Sequence, residues 1–304
     1  MTSSMVTSPR ATSPGATSPG MTSATLRPAT KPAGRPVSRR RVWGRYALIG
    51  LVFTYIGILI IAPLVRLVFG AFEQGIEPVI SSLSEPAVLA AFWRTLWISL
   101  LTVAVHAIFG TVVAWILVRQ RFPGRKILNA LIDMPFAVSP VVVGYMLLLL
   151  FGRNGLLAPV LSALNIQVAF ALPGMILATL FVTLPFMVRE LIPVLEAFGV
   201  QQEQAAATLG ASGLQTFRYV TLPAIRWGFI YGITLTFARA LGEFGAVLVI
   251  GGGIQGRTET ATLFIYRALD ERQYVGAYSA AIVLGLFSLI LVVGSELIRR
   301  REHV

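Results

Sequence analysis

Long apolar stretches separated by short polar segments make up most of the chain. A helix needs about 20 consecutive apolar residues to cross the hydrocarbon core of a bilayer. Six stretches reach this length, at residues 46–70, 94–118, 128–151, 169–192, 225–250 and 276–298. Backbone polar groups in lipid must be satisfied within the protein, which favours helices for such segments. The pattern therefore predicts an all-α integral membrane protein with six transmembrane helices.

Prolines interrupt two of these predicted spans. Pro135 and Pro140 lie in the third span, and Pro185 lies in the fourth. Proline lacks a backbone donor, and membrane helices tolerate it where neighbouring helices satisfy the freed carbonyl groups. We therefore expect the third and fourth spans to be kinked or closely packed.

The composition supports a membrane protein. Of 304 residues, 56% are hydrophobic and 12% are charged, whereas a soluble domain has about 25% charged residues. The net charge of +12 is also typical of nucleic-acid-binding proteins, but the basic residues lie in short clusters at the ends of apolar runs. The absence of cysteine excludes disulfides, thiolate metal sites and iron–sulfur ligation.

The two ends of the chain are polar, and they set the expected orientation. Residues 1–42 are rich in Ser, Thr and Pro and carry little apolar surface, so we expect a disordered tail; residues 299–304 form a short basic tail. Cytoplasmic segments carry an excess of Lys and Arg. If the N-terminus is cytoplasmic, 18 of the 25 Lys and Arg residues fall on the cytoplasmic side and six fall outside. We therefore predict that both tails and the segment 193–224 are cytoplasmic.

The segment 193–224 contains the patterned stretch EQAAATLGASGLQTFRYVTLP. Good helix formers precede Gly210, and glycine commonly ends a helix in a left-handed turn. Ser212 stands three residues before Gln215, the spacing of a capping box that starts a second helix. Pro223 suits the first turn of the fifth span. The pattern predicts two short helices, which either dock in a groove of a partner protein or form an ordinary solvated loop.

This stretch resembles the EAA loop of ABC importer permeases. The family pattern is Glu-Ala-Ala, three residues, Gly, nine residues, Ile, one residue and Leu-Pro. The matching residues are Ala205, Ala206, Gly210, Val220, Leu222 and Pro223. The glutamate of the pattern falls on Gln204, with Glu203 beside it. The resemblance implies that this loop contacts an ATP-binding subunit, with Glu203 supplying the carboxylate for a basic residue of that subunit or with a neutral contact in its place.

Four further stretches resemble sulfate/thiosulfate permeases of the CysW type. They are DMPFAVSPVVVG (133–144), FVTLPFMVREL (181–191), TLPAIRWGFIYGITLTFARALGEFGAV (221–247) and IGGGIQGRTETATL (250–263). The resemblance extends over residues 42–298 and implies the type I, MetI-like permease fold in a bacterial inner membrane. The implied partners are a second permease of the CysT type, two copies of an ATP-binding subunit of the CysA type, and a sulfate- or thiosulfate-binding protein outside.

The chain lacks the phosphate-binding signature of an ATPase. A P-loop requires Gly-Lys followed by Ser or Thr. The only two lysines, Lys31 and Lys126, follow Thr30 and Arg125. We therefore expect this chain to bind no cofactor, and ATP and Mg²⁺ to be bound by the partner ATPase.

Arg239 and Glu243 lie four residues apart, and therefore on one face of the predicted fifth span. Ionisable residues within a span usually face an interior or a cavity. Two interpretations remain open. The pair lines the translocation path together with Gly242 and Phe244, or it is a structural pair within the chain or with the partner permease. Arginine before glutamate is the weaker helical order, so we expect at least one of the two to have another partner.

Two other polar residues fall in or near the spans. We expect His106, near the centre of the second span, to be neutral and hydrogen-bonded in a helix interface. We expect Asp133, just before Met134 and Pro135, to cap a helix that breaks at the proline.

Other classes of protein fit the sequence less well. An ion-coupled carrier predicts inverted repeats or paired broken helices, which the sequence does not reveal. A membrane enzyme predicts a nucleophile elbow, a zinc motif or paired carboxylates in one span, and none of these patterns occurs. Among importers, a molybdate or phosphate permease is the nearest alternative to a sulfate permease.

Overall fold

The computed structural model describes the backbone of residues 39–300, and these residues form helices and connecting turns with no strand. The helices are α1 Arg39–Phe72, α2 Glu77–Leu83, α3 Pro86–Arg119, α4 Arg125–Ala137, α5 Pro140–Phe151, α6 Ala158–Ala163, α7 Leu172–Phe198, α8 Gln201–Thr208, α9 Gly213–Thr216, α10 Leu222–Leu241, α11 Gly245–Gly251, α12 Ala261–Asp270 and α13 Tyr274–Arg300. A π-helical turn, Phe217–Thr221, connects α9 to α10.

Most of both predicted tails lies outside the described residues. Helix α1 begins at Arg39, inside the segment 1–42 that was assigned to the N-terminal tail. Helix α13 continues to Arg300, inside the segment assigned to the C-terminal tail. The described helices thus include the last four residues of the N-terminal segment and the first two of the C-terminal segment.

The chain divides into two units within α1. The described part of the first unit is the helical segment 39–55, whose side chains from Arg45 onward are exposed. The second unit begins at Ile56 and contains the remainder of α1 and all the later helices.

The six predicted spans correspond to helices within residues 39–300. Four of the described helices are long and apolar enough to cross a membrane, namely α1, α3, α7 and α13. Two bent pairs bring the number to six if each pair is one span: α4 with α5, bent by 112°, and the segment 213–241 with α11, bent by 55°. The fold is thus all-helical in the described residues, and it contains two bent helix pairs that the sequence did not reveal.

The sharp bend between α4 and α5 has a local cause at Pro140. The residue before a proline is disfavoured in the helical conformation, and Ser139 is extended, with φ −59° and ψ 137°. Pro140 then occupies the first turn of α5, where a missing backbone donor is tolerated. The third span is therefore two helices with a corner between them, rather than a single kinked helix.

Helix α7 forms the centre of the second unit. Its buried side chains pack against α3, α4 and α10 in one apolar cluster: Met187, Val188, Leu191 and Leu195 of α7 with Ala114 and Leu117 of α3, Ile132 of α4 and Ile225 of α10. A second cluster joins the other end of α7 to α5 and α11 through Ala178, Val182, Val143, Ala246 and Ile250. Both broken spans are thereby held against the same helix.

Candidate functional site: the polar loop and the Arg239 cavity

The stretch singled out between the fourth and fifth spans forms the two short helices that its sequence predicts, α8 and α9. Gly210 has a φ of +86°, a left-handed conformation that strains residues with a side chain. Ser212 and Gln215 form a complete capping box at the start of α9: Ser212 Oγ accepts from the Gln215 N–H, and Gln215 Oε1 accepts from the Ser212 N–H at 2.8 Å. Pro223 lies in the first turn of α10. The local geometry predicted for this loop is confirmed.

The outer face of this loop is exposed and partly apolar. Leu209 is 88% exposed and Leu214 is 77% exposed. Gln204 and Ala205 are also exposed, and Ala206 is partly covered. Large exposed apolar side chains grouped on a polar segment are typical of protein interaction sites.

Glu203, one of the two alternatives for the contact with the ATP-binding subunit, has a partner within this chain. Its carboxylate accepts a hydrogen bond from Nε of Arg119, at the end of α3, with Nε 2.8 Å from Oε2. This pair could not be predicted from the sequence, because the two residues are 84 positions apart. Of the two residues considered for the family carboxylate, the neutral Gln204 is the one that faces outward.

The π-helical turn was not anticipated from the sequence. The Leu222 N–H donates to the Phe217 carbonyl oxygen, five residues earlier, so the turn contains one residue more than an α-helical turn. Turns of this kind are frequent at functional sites. Here the turn lies where the polar loop joins α10.

Arg239 and Glu243 form an ion pair, with Nη1 2.8 Å from Oε2, and the two side chains differ in exposure. Glu243 is 2% exposed and Arg239 is 29% exposed. As expected, one member has a further partner: Glu243 Oε1 accepts from the Ala246 N–H at 3.1 Å, in the first turn of α11. Glu243 therefore helps to shape the break between α10 and α11.

Arg239 lines a cavity of about 450 Å³ at the corner between α4 and α5. Phe136 and Phe186, whose rings meet edge to face with centroids 5.4 Å apart, also line this cavity. Ser139 lies on the same wall. Arg239 thus places a positive side chain at a space with both polar and apolar walls, between two broken spans.

Gly242 and Phe244, the other candidate path residues, lie at the break between α10 and α11. Phe244 has φ −129° and ψ −60° and packs against Tyr266, with ring centroids 5.3 Å apart. A Cβ at Gly242 would meet no atom closer than 3.9 Å, whereas one at Gly245 would lie 3.1 Å from Cγ2 of Val141. Only the second of the two glycines around Phe244 therefore permits a close approach, in this case to α5.

His106 lies in the interface between α3 and α7. Its Nε2 is 3.1 Å from the carbonyl oxygen of Leu180 and 3.0 Å from Oγ1 of Thr183. Because a carbonyl oxygen only accepts, Nε2 is the protonated ring nitrogen in this arrangement. The expected hydrogen-bonded position in a helix interface is confirmed.

Asp133 does not cap a helix, and that prediction was wrong. It lies within α4, where its Oδ1 accepts from Nε of Arg189 on α7 at 2.7 Å. The helix continues through Pro135 to Ala137 and breaks only before Pro140. Asp133 therefore fixes α4 to α7.

A second polar cluster, at the segment 256–267, was also not predicted from the sequence. Arg94 donates to the carbonyl oxygens of Glu259 at 2.8 Å and Gly256 at 2.6 Å. The buried Glu259 carboxylate accepts from Nε of Arg267 at 2.6 Å. This hydrogen bond raises the pKa of Arg267 above its usual value, against the opposing effect of burial. The cluster holds the segment before α12 against α3.

Broken apolar spans, a positive side chain at a cavity between them and an exposed polar loop that carries apolar side chains are together typical of a multi-pass membrane transport subunit. The chain belongs to the family of binding-protein-dependent transport system inner membrane components, whose profile matches residues 106–303. This family and the described helices place it in the type I, MetI-like class of permease folds predicted from the sequence.

Comparisons with individual proteins are consistent with membership of this family. The chain is 46% identical to the sulfate transport system permease protein CysW of Synechococcus elongatus, over 84% of this chain and 89% of that protein. It is 38% identical to the sulfate transport system permease protein CysT of Salmonella typhimurium, over 87% of this chain and 96% of that protein. A chain of the bacterial alginate ABC transporter, solved with an alginate pentasaccharide-bound periplasmic protein, has the same fold, with a TM-score of 0.72 at 19% identity over 86% of this chain and 96% of that one.

Proposed function

We propose that this chain is the CysW-type permease subunit of an ATP-driven importer that moves sulfate, and also thiosulfate, into the cell. The observation that carries the proposal is the exposed loop formed by α8 and α9, with Leu209 and Leu214 on its surface. A polar loop that exposes large apolar side chains and has a capping box at its second helix is suited to a protein partner. The identity to sulfate permeases supports the substrate.

The partner at this loop is an ATP-binding subunit of the CysA type, present in two copies. The chain itself has no Gly-Lys-Ser/Thr sequence to hold phosphates, so ATP and Mg²⁺ belong to that subunit. Ala205, Ala206, Gly210, Leu222 and Pro223 build the loop, and Gln204 faces the subunit as a neutral side chain. The loop and both termini are cytoplasmic, in agreement with the excess of basic residues on that side.

The second permease, of the CysT type, forms a heterodimer with this chain in the bacterial inner membrane. A soluble sulfate- or thiosulfate-binding protein delivers the anion from outside. The anion then passes the cavity that Arg239 lines, where a fixed positive charge reduces the cost of taking a dianion out of water. Glu243, Gly242 and Phe244 hold the helix break that aims Arg239 at this space.

The test is uptake in a strain in which this gene is deleted. Labelled sulfate should enter the wild-type strain and the complemented strain but not the deletion strain. Unlabelled thiosulfate should compete, whereas molybdate and phosphate should not. Competition by molybdate or phosphate alone would favour the alternative, a permease for one of those oxyanions. Uptake that persists after ATP depletion, with the ion gradients maintained, would favour a secondary carrier.

A further inference from the structure

Both carboxylate oxygens of Glu203 accept hydrogen bonds from other residues of this chain. Oε2 lies 2.8 Å from Nε of Arg119, and Oε1 lies 3.3 Å from Nη2 of the same guanidinium. Thr221 Oγ1 donates to Oε1 at 2.8 Å. Charge-assisted bonds with two points of contact fix direction as well as distance. The carboxylate is therefore held in one orientation.

The groups around Glu203 come from the ends of three membrane helices. Arg119 is the last residue of α3, and its Nη2 also donates at 2.6 Å to the carbonyl oxygen of Gly199, which follows α7. Thr221 is the last residue of the π-helical turn before α10. Glu203 itself lies on α8. One side chain of the loop thus joins α3, α7 and α10.

These groups are shielded from water and from partner proteins. The side chains of Arg119 and Glu203 are 8% and 15% exposed, and Thr221 is 1% exposed. Removing one member of such a pair leaves a poorly solvated charge without its partner, which is strongly unfavourable. The ion pair between Arg119 and Glu203 is therefore suited to stay intact while the loop moves.

We propose that Glu203 is a positioning residue that transmits movement of the loop to α3, α7 and α10 and makes no contact with the ATP-binding subunit. The inference rests on the proposed function, in which that subunit binds the loop. A displacement of α8 then moves the ends of three spans together. Along α10, the 18 residues from Thr221 to Arg239 extend about 27 Å at 1.5 Å per residue, so the movement reaches the cavity.

The test uses the complete importer, purified and reconstituted with its ATP-binding subunits and its binding protein. Glu203→Gln keeps an acceptor for Thr221 but removes the charge that holds Arg119. We expect a lower yield of complex but a normal proportion of the ATP-binding subunit in the complex that is recovered. In that complex we expect loss of the stimulation of ATP hydrolysis by the loaded binding protein, and about tenfold less sulfate uptake per ATP, within the range of coupling between sites. Arg119→Gln should behave alike, and the double variant should be no worse than either single variant.

Three further variants serve as controls. Glu196→Gln makes the same chemical change at an exposed carboxylate near the end of α7 and should leave coupling unchanged. Glu203→Asp keeps the charge and should restore part of the coupling. Thr221→Val keeps the ion pair and removes one donor, so it should assemble even if Glu203→Gln does not, with a smaller loss of coupling.

The outcomes separate the inference from the proposed function. Loss of the ATP-binding subunit in Glu203→Gln, with a normal Arg119→Gln complex, would mean that Glu203 contacts that subunit directly. Full coupling in Glu203→Gln, or in both Arg119→Gln and Thr221→Val, would also overturn the inference. A wild-type chain that recovers no ATP-binding subunit would contradict the proposed function itself.

Discussion

Gly144 on α5 lies against the backbone of Ala246 on α11. A Cβ added at Gly144 would lie 2.6 Å from the carbonyl oxygen of Ala246 and 3.1 Å from its Cα. Both helices are the second halves of bent pairs. Small residues allow the backbones of two membrane helices to approach closely, so the two broken spans are joined at a point where Gly144 has no room for a larger side chain.

Replacing Gly144 by alanine should destabilise the protein, because the obstructing atoms are backbone atoms of Ala246 and the Cβ of Val249, which move only if the helices separate. We expect a loss of about 1–3 kcal/mol, as for other overpacked sites, measured as a lower Tm in detergent. Gly285→Ala in α13 is the control, since no atom lies within 4 Å of a Cβ at that position. Equal Tm values for the two variants would contradict the close packing of α5 on α11.

The positive charge of Arg239 should matter for transport apart from its role in the ion pair with Glu243. Arg239→Gln alone leaves the buried Glu243 unpaired and should reduce assembly, whereas the double variant Arg239→Gln/Glu243→Gln has no unpaired charge there. We expect the double variant to assemble and to take up sulfate about tenfold more slowly, a change of about 1.4 kcal/mol in the barrier. Arg239→Lys, which keeps the charge, should retain more uptake. Normal uptake in the assembled double variant would make the pair purely structural.

Gly210 should be required for the shape of the loop. Valine at φ +86° is strained, although nothing lies within 4 Å of the added Cβ. We therefore expect Gly210→Val to insert normally but to lose the ATP-binding subunit on purification, and with it sulfate uptake. Gly213→Val is the matched control, because Gly213 also has open space and does not have a positive φ. Normal recovery of the ATP-binding subunit with Gly210→Val would mean that this turn does not shape the docking surface.

The topology should be that of six spans with both ends in the cytoplasm. Alkaline phosphatase, which is active only outside, should be active when fused after Ser84, Gly155 or Gly256. It should be inactive after Arg121, Gln204 or His303. The fusion at Gly155 decides whether α4 and α5 cross the membrane as one span or turn back, because a re-entrant pair would leave that fusion inactive. Activity of the Gln204 fusion would contradict the cytoplasmic position of the loop.

Local sequence patterns predicted much of this structure. The length of an apolar run indicates a span without knowledge of its neighbours, and the capping box at Ser212 and the turn at Gly210 depend on a few adjacent residues. The resemblance located the loop by the same short-range spacing. Pro140 indicated a break in the third span but not its angle. The angle of 112° depends on how α5 packs against α7 and α11.

Contacts between distant parts of the chain could not be predicted from one sequence. Asp133 was expected to cap a helix, since its neighbour Pro135 suggested a break, but its partner Arg189 lies 56 residues further along. The resemblance left open whether Glu203 or a neutral side chain meets a partner, and the structure pairs Glu203 with Arg119. In each case the charged residue could be identified from the sequence, but the packing of the helices determines which residue neutralises it.

The π-helical turn at Phe217–Thr221 has a consequence for loop exchange between permeases. Each residue of an α-helix rotates the chain by about 100°. One additional residue in this turn therefore changes the direction in which α8 and α9 face relative to α10. A foreign loop joined within the turn, at a point that restores ordinary helix geometry, would present its surface about a quarter of a turn away from the original one. Chimaeras joined before Phe217 keep the turn with its own span, and a transplanted loop then faces in the same direction as the native one.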